Sequence, residues 1–278
     1  MFAVFLTGCG LFTASCSLQF DLDQEQCQTD ADCTESGLPR PRCIDAVCVG
    51  DDTPPEWACL ANFVSPEPGD VVEHPLRFEY ITEPGVVPEG LTLRLCNSVD
   101  PMCTSPNDDV AQPDADGRVV VTTDPTFQGF LQVTSDDSKL TIVYLQPPAV
   151  LPRQENVVRM IRTPEFDGLV RLNDLELDPT RGAAVINTEN CLDERAAGVS
   201  LTTVDTDEDT LGFYFSGAIP DFEATATDAQ GSAGFYPLPV QSVQVEAFRA
   251  DTMEFIGKTS FQILPDTLTY AFIGPTEP

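Results

Sequence analysis

Short runs of alternating apolar and polar residues, broken by turn residues, fill most of the chain. Between residues 60 and 162 they are 76–81 (LRFEYI), 91–96 (LTLRLC), 118–123 (RVVVTT), 129–134 (GFLQVT), 140–145 (LTIVYL) and 157–161 (VVRMI). A period of two marks strands with one face buried, the antiparallel pattern. From residue 178 onward the pattern returns at 183–187, 198–203, 211–216, 223–227, 234–238, 241–249, 255–263 and 267–273. Strands this frequent with no helix between them predict β-sandwiches. One helix interrupts them, over 163–174 (TPEFDGLVRLND). There Thr163 can cap, Pro164 suits the first turn, Glu165 and Asp167 favour its positive end, and Phe166, Leu169, Val170 and Leu172 make an apolar face.

A unit recurs. The text ATDAQGSAGFYPLPVQSVQVEAF at 226–248 has a fainter copy, QPDADGRVVVTTDPTFQGFLQV, at 112–133. Asp228-Ala229-Gln230-Gly231 answers to Asp114-Ala115-Asp116-Gly117, and Val243–Ala247 answers to Gly129–Val133. Gly117 and Gly231 then take matching left-handed hairpin positions, the conformation that glycine adopts freely. The expected class is mainly β: two tandem antiparallel sandwiches at 56–162 and 178–278, built alike and joined by a connector helix and linker at 163–177.

Residues 1–15 (MFAVFLTGCGLFTAS) are almost wholly apolar and end in small residues, as a signal peptide does, without the usual basic start. The run is too short to span a bilayer as a helix. Two cysteines sit where a bacterial lipoprotein signal places its acylated residue. Leu6-Thr7-Gly8-Cys9 resembles that motif closely. Thr13-Ala14-Ser15-Cys16 resembles it less well, yet cleavage there leaves a longer apolar run and an even eight of the ten cysteines. Lipidation is therefore expected at Cys16, with Cys9 as the alternative.

Residues 16–55 read as an acidic tether carrying Cys27, Cys33, Cys43 and Cys48. So short a segment needs cross-links, and two disulfides supply them. Four-thiolate zinc is the rival, but only the second pair has zinc-like spacing. Any of three pairings is possible within the knot. Cys96 and Cys103 flank a loop that a local disulfide would close. Cys59 and Cys191 are left to each other by elimination. Cysteines at this density place the protein in an oxidising compartment.

Two resemblances follow. The QCQTDADC…RCIDAVC block resembles the short four-cysteine repeats of predicted bacterial surface lipoproteins. Gly198-Val199-Ser200-Leu201, then TDAQGSAGFYPLP, then VQVEAF, resembles the carboxypeptidase regulatory-like, or transthyretin-like, β-sandwich. Residues 91–145 show the same order less cleanly. This resemblance implies a non-enzymatic surface module on the cell envelope or outer membrane.

Charge and chemistry narrow the choice. Asp+Glu 45 against Lys+Arg 14 gives a net charge of −31, a surface that repels phosphate and excludes nucleic acid as a partner. The single histidine, His74, precedes Pro75 and reads as a loop residue; no nucleophile elbow, zincin motif or nucleotide loop accompanies it. Asp114 and Asp116, and Asp205, Asp207 and Asp209, are weak calcium candidates that suit exposed turns equally. The expectation is a protein without cofactor or catalysis, anchored to a membrane by lipid, with a protein or glycan partner or none.

Overall fold

The computed structural model describes residues 27–35, 42–44, 46–49, 54–62, 71–107, 110–145, 155–204, 206–217 and 219–276. Cys9, Cys16 and Asp205 lie outside them. In the N-terminal segment, strands β1 (Arg42–Ile44) and β2 (Val47–Val49) form a small hairpin. The first half contributes β3 (Val72–Tyr80), β4 (Thr92–Asn97), β5 (Arg118–Thr123), β6 (Gly129–Thr134), β7 (Leu140–Tyr144) and β8 (Asn156–Met160). Helix α1 (Thr163–Leu172) follows. The second half contributes β9 (Gly182–Thr188), β10 (Val199–Val204), β11 (Leu211–Ser216), β12 (Ile219–Asp221), β13 (Ser232–Leu238), β14 (Ser242–Arg249), β15 (Phe255–Gln262) and β16 (Thr267–Ile273).

The strand pairing repeats. In the first half β3 pairs β5 antiparallel and β8 parallel, while β6 pairs β4 and β7. In the second half β9 pairs β13 antiparallel and β16 parallel, while β14 pairs β10 and β15. Each half is thus a six-strand sandwich of the same connectivity, with β11 and β12 added to the second. The two sandwiches are not separate layers in tandem. β16 also pairs β7, in parallel, and fuses one sheet of each half into an eight-stranded sheet ordered β12-β11-β13-β9-β16-β7-β6-β4. A parallel pairing across 127 residues leaves no local pattern, so the alternation along the chain predicts each sandwich but not their fusion.

Alternation along β16 shows what the shared sheet carries. Leu268, Tyr270 and Phe272 join one core with Leu76, Phe78, Val158 and the α1 residues Phe166, Leu169 and Val170. Ala271 and Ile273 join a second core with Val199, Val243, Val245, Ile256 and Phe261. The β5-β3-β8 sheet and α1 pack with the first set, and the β10-β14-β15 sheet packs with the second. Strand β9 is buried at every position, which its run of alanine, valine and isoleucine permits.

Some local expectations need correction. The N-cap of α1 is Arg162, not Thr163: Glu165 accepts the Arg162 N–H at 3.3 Å. Arg162 stacks 3.7 Å from the Tyr80 ring and pairs with Glu83, Asp137 and Glu165. Leu172 is exposed rather than part of the apolar face. Residues 223–227 form no strand, because Asp221 Oδ1 accepts the Glu223 and Ala224 N–H groups and bends the chain there. Gly117 and Gly231 have φ of 73° and 62°, but their turns lead into β5 and β13 rather than closing hairpins between paired strands.

Thr269 is fully buried in β16, in register with Ile142 and Ala184, and its hydroxyl has no partner. Burying an unpaired hydroxyl is unfavourable, so Thr269→Val is expected to stabilise the fold by about 1 kcal/mol. Denaturant unfolding reads this directly, and a loss of stability would reveal a partner for the hydroxyl.

Candidate ligand-binding cleft

All eight cysteines among the described residues are paired. Cys27 bonds Cys43 and Cys33 bonds Cys48, so each strand of the β1–β2 hairpin is fastened to the preceding segment. Three of these sulfurs, from Cys27, Cys33 and Cys48, lie within 4.8 Å of one another, and all are consumed by disulfides rather than free for zinc. Cys96 bonds Cys103 across its loop. Cys59 bonds Cys191 and ties the 3-10 helix Pro55–Asn62 to the second half, where Trp57 enters the second core.

The acidic candidates are spread and engaged. Asp114 Oδ1 accepts the N–H groups of Asp116 and Arg118 at 2.9 Å each, closing its own turn. Asp116 stands 3.7 Å from Arg118. Asp207 accepts hydrogen bonds from Arg181 at 2.7 Å and Thr210 at 3.0 Å. The bond to Arg181 holds the Asp207 carboxyl at about 2, against a usual 3.8, while burial opposes the shift. Because the folded value lies below the unfolded one, this pair's stabilisation is complete above about pH 4 and fades as pH falls toward 2. An NMR titration is expected to place the Asp207 midpoint near 2, returning to the ordinary carboxylate range in Arg181→Gln. Among the described residues no three carboxylates converge as a metal site would require.

His74 is not a loop residue. It lies inside β3, 4% exposed, with Nε2 3.1 Å from Thr123 Oγ1. Pro75 is tolerated there because β8 pairs with β3 only from Leu76 onward.

The chemistry collects where the two halves meet. Val157 and Arg159 of β8, Val185 and Asn187 of β9, and Arg195 line a cleft of about 330 Å³. Gln230 and Ser232, from the Gly231 turn and the start of β13, complete its wall. Arg159 Nη1 donates to Gln230 Oε1 at 2.9 Å, and its Nε lies 3.6 Å from Glu79. The Tyr270 hydroxyl donates to the Arg159 carbonyl. Glu79 also meets Arg77 at 3.2 Å, and Glu155 on the rim pairs with Arg118 at 2.8 Å. Glu79 and Glu155 are therefore already paired with cations, and a third acid, the buried Glu189, is bridged through its backbone to Arg195.

Two residues of the cleft wall each carry a buried donor that lacks an acceptor and does not reach the open space. Arg195 is half-buried; its Nη2 donates to Asn156 at 3.3 Å, while its Nη1 is shut off from solvent and meets none. Asn187 is 4% exposed; its Oδ1 accepts the Ser232 hydroxyl at 2.7 Å, and its Nδ2 is unsatisfied. Burial pushes the Arg195 guanidinium below its usual range; Glu189 opposes this, and the like charge of Arg159 adds to it. A second, apolar hollow of about 70 Å³ lies under α1 and shares Ile81, Arg159, Val185, Phe215 and Tyr270 with the cleft. Sequence reading misses this site because its residues come from both halves. The one trace is a polar Asn187 in the apolar run AAVIN.

No family model matches the chain, and no curated protein matches it. Among solved structures, the Bacillus anthracis TIE protein is similar over 74% of this chain at 10% identity, with a TM-score of 0.24; the match spans 34% of that protein. A streptococcal ancillary pilin matches 73% of this chain and 68% of its own at 11% identity and a TM-score of 0.22. A variant of the shaft pilin SpaA from Lactobacillus rhamnosus GG matches 74% and 98% at 9% identity and a TM-score of 0.23. Likeness at that level transfers no function to this chain.

Proposed function

We propose that the chain is a non-catalytic binding module displayed on the cell envelope, held by lipid at Cys16 or, failing that, at Cys9. The carrying observation is that all eight cysteines among the described residues are in disulfides, a state that persists outside the cytosol. Among the described residues no helix is long and apolar enough to cross a membrane, and several acyl chains would hold such a body stably. The disulfide-bonded segment then stands between anchor and body. The doubled sandwich is a platform whose cleft, lined by Arg159 and Arg195, is the feature suited to recognition. That cleft favours binding over a purely structural envelope role. The resemblance to transthyretin-like modules points the same way.

Mass spectrometry of the native N-terminus tests the anchor: an acylated Cys16 is expected, and an unmodified N-terminus beyond it would refute lipidation. Pull-down from envelope extract tests the module. Recovery of one protein or glycan partner supports binding, and failure to retain any favours the structural role.

A further inference from the structure

We infer that the hollow under α1 binds an unbranched alkyl chain that enters from the β12 edge of the eight-stranded sheet. This site is distinct from the cleft and goes beyond the reading above. Strand β9 contributes Ala183 and Val185 to the core that α1 covers, and both line a void of about 70 Å³. Side chains as small as these leave space that the helix does not fill. Phe166, Leu169 and Val170 of α1, with Phe213, Phe215 and Phe222, form much of the remaining wall.

The chemistry of the wall selects an apolar guest. Protein interiors are close-packed, and voids larger than a water molecule are few. A water needs only about 10–15 Å³, but it also needs polar partners. The four polar side chains on this wall already have theirs. Tyr270 donates to the Arg159 carbonyl, Tyr236 to the Glu176 carbonyl at 2.9 Å, and Asn173 Nδ2 to the Leu169 carbonyl at 2.8 Å. Arg159 Nη1 is on Gln230, and its Nε lies by Glu79. A cavity of this kind stays dry and accepts hydrocarbon.

The surroundings select a chain over a compact molecule. Asn173, Leu175, Pro220 and Phe222 line the hollow and also an open groove of about 550 Å³ beside β12. Leu211 and Ile219 stand on the groove wall, 41% and 67% exposed. Apolar surface thus continues from the hollow out to solvent. Strand β12 ends the sheet, but it is three residues long and Pro220 offers no N–H, so this edge is poorly suited to pairing with another strand. An alkyl chain with its end in the hollow and its remainder against Leu211 and Ile219 covers both surfaces. The charged residues of the groove are Asp221 and Glu223, so the head group outside is neutral or cationic.

The test is a methyl NMR titration of the full chain with hexyl and decyl maltoside, each below its micelle threshold, and with maltose and decanoate. Decyl maltoside is expected to shift the Val170 methyls saturably, with an affinity about tenfold or more above that of hexyl maltoside, since each buried methylene adds about fourfold at most. Maltose is expected to shift nothing, and decanoate to bind about threefold or more weakly than decyl maltoside because the groove is acidic. Leu169→Phe, which takes up the void, is expected to weaken decyl maltoside about tenfold while unfolding stays cooperative. Ile219→Ser alters a side chain that the fold does not bury; it is expected to weaken decyl maltoside about threefold and leave hexyl maltoside unchanged. If Leu169→Phe fails to fold, Ile219→Ser decides. No saturable shift at Val170, equal affinity for the two chain lengths, equal affinity for decanoate, or unchanged binding in the folded variants each overturns the proposal. None of these outcomes bears on the envelope display, which stands or falls on the N-terminal mass.

Discussion

Replacing both members of the long-range disulfide, Cys59→Ala with Cys191→Ala, is expected to lower stability by about 4 kcal/mol. The bond closes a loop over a sequence separation of 132. Removing it frees that whole length in the unfolded chain, and the entropy gained grows with loop length. In the folded state little else secures residues 54–62. Trp57 is 5% exposed in the second core, Leu60 packs partly against it, and Cys191 N–H donates to Glu56 at 2.9 Å. Urea unfolding is expected to show a lower midpoint with a steeper slope, as a less compact unfolded ensemble exposes more surface. Limited proteolysis is expected to cut first within 54–62. A loss below about 1 kcal/mol would show that Trp57 holds this segment without the cross-link.

Gly231→Ala is expected to cost about 3 kcal/mol or more. Two effects add. The residue has φ of 62°, which strains any side chain bearing Cβ. A Cβ there would also stand 2.7 Å from Ala196 N and 2.8 Å from Thr188 O. Those atoms cannot retreat, because Ala196 N–H donates to Thr188 O and Thr188 N–H donates to Gly231 O. Gly117 repeats the arrangement: its carbonyl accepts the Phe78 N–H of β3, and its Cβ would meet Phe78 O at 2.5 Å. The strands that hold these glycines, β3 and β9, are counterparts in the repeat. Gly168→Ala in α1 is the control, where nothing lies within 4 Å of the added carbon. It is expected to stabilise by up to about 1 kcal/mol through helix propensity. Equal effects from Gly231→Ala and Gly168→Ala, read by thermal unfolding, would mean that the turn yields.

Much of this fold is written locally. Residues 118–123, 129–134, 211–216 and 267–273 are strands at their expected bounds, because alternation and flanking turn residues act over a few positions. The repeat was visible because Asp114 and Asp228 each close a turn onto a glycine, Gly117 or Gly231. What the sequence does not carry is pairing at a distance. Nothing in TLTYAFI tells that β16 lies between β9 and β7, since a strand buried on both faces looks the same whatever its neighbours. His74 shows the converse error: a proline beside it suggests a loop, yet the strand runs through both residues. The cleft was illegible for the same reason as the fused sheet. Nothing local to Arg159 or Arg195 links them, and it is the meeting of β8 with the segment after β9 that puts both on one wall.

The position of β16 also sets an order of events. Its Thr267 follows Leu140, the residue it pairs with in β7, by 127 residues, and it sits in the interior of the widest sheet among the described residues, between β9 and β7. A chain emerging N-terminus first completes β7 while its permanent neighbour is still unmade. Until Thr267–Ile273 arrives, β7 has an open edge, a template for pairing with other chains. The second half likewise waits for β16 to seal β9. The strand order thus predicts a late insertion of β16 between β7 and β9. The vulnerable period is the interval between the appearance of Tyr144 and that of Ile273, when a chaperone that shields strand edges would have most to protect.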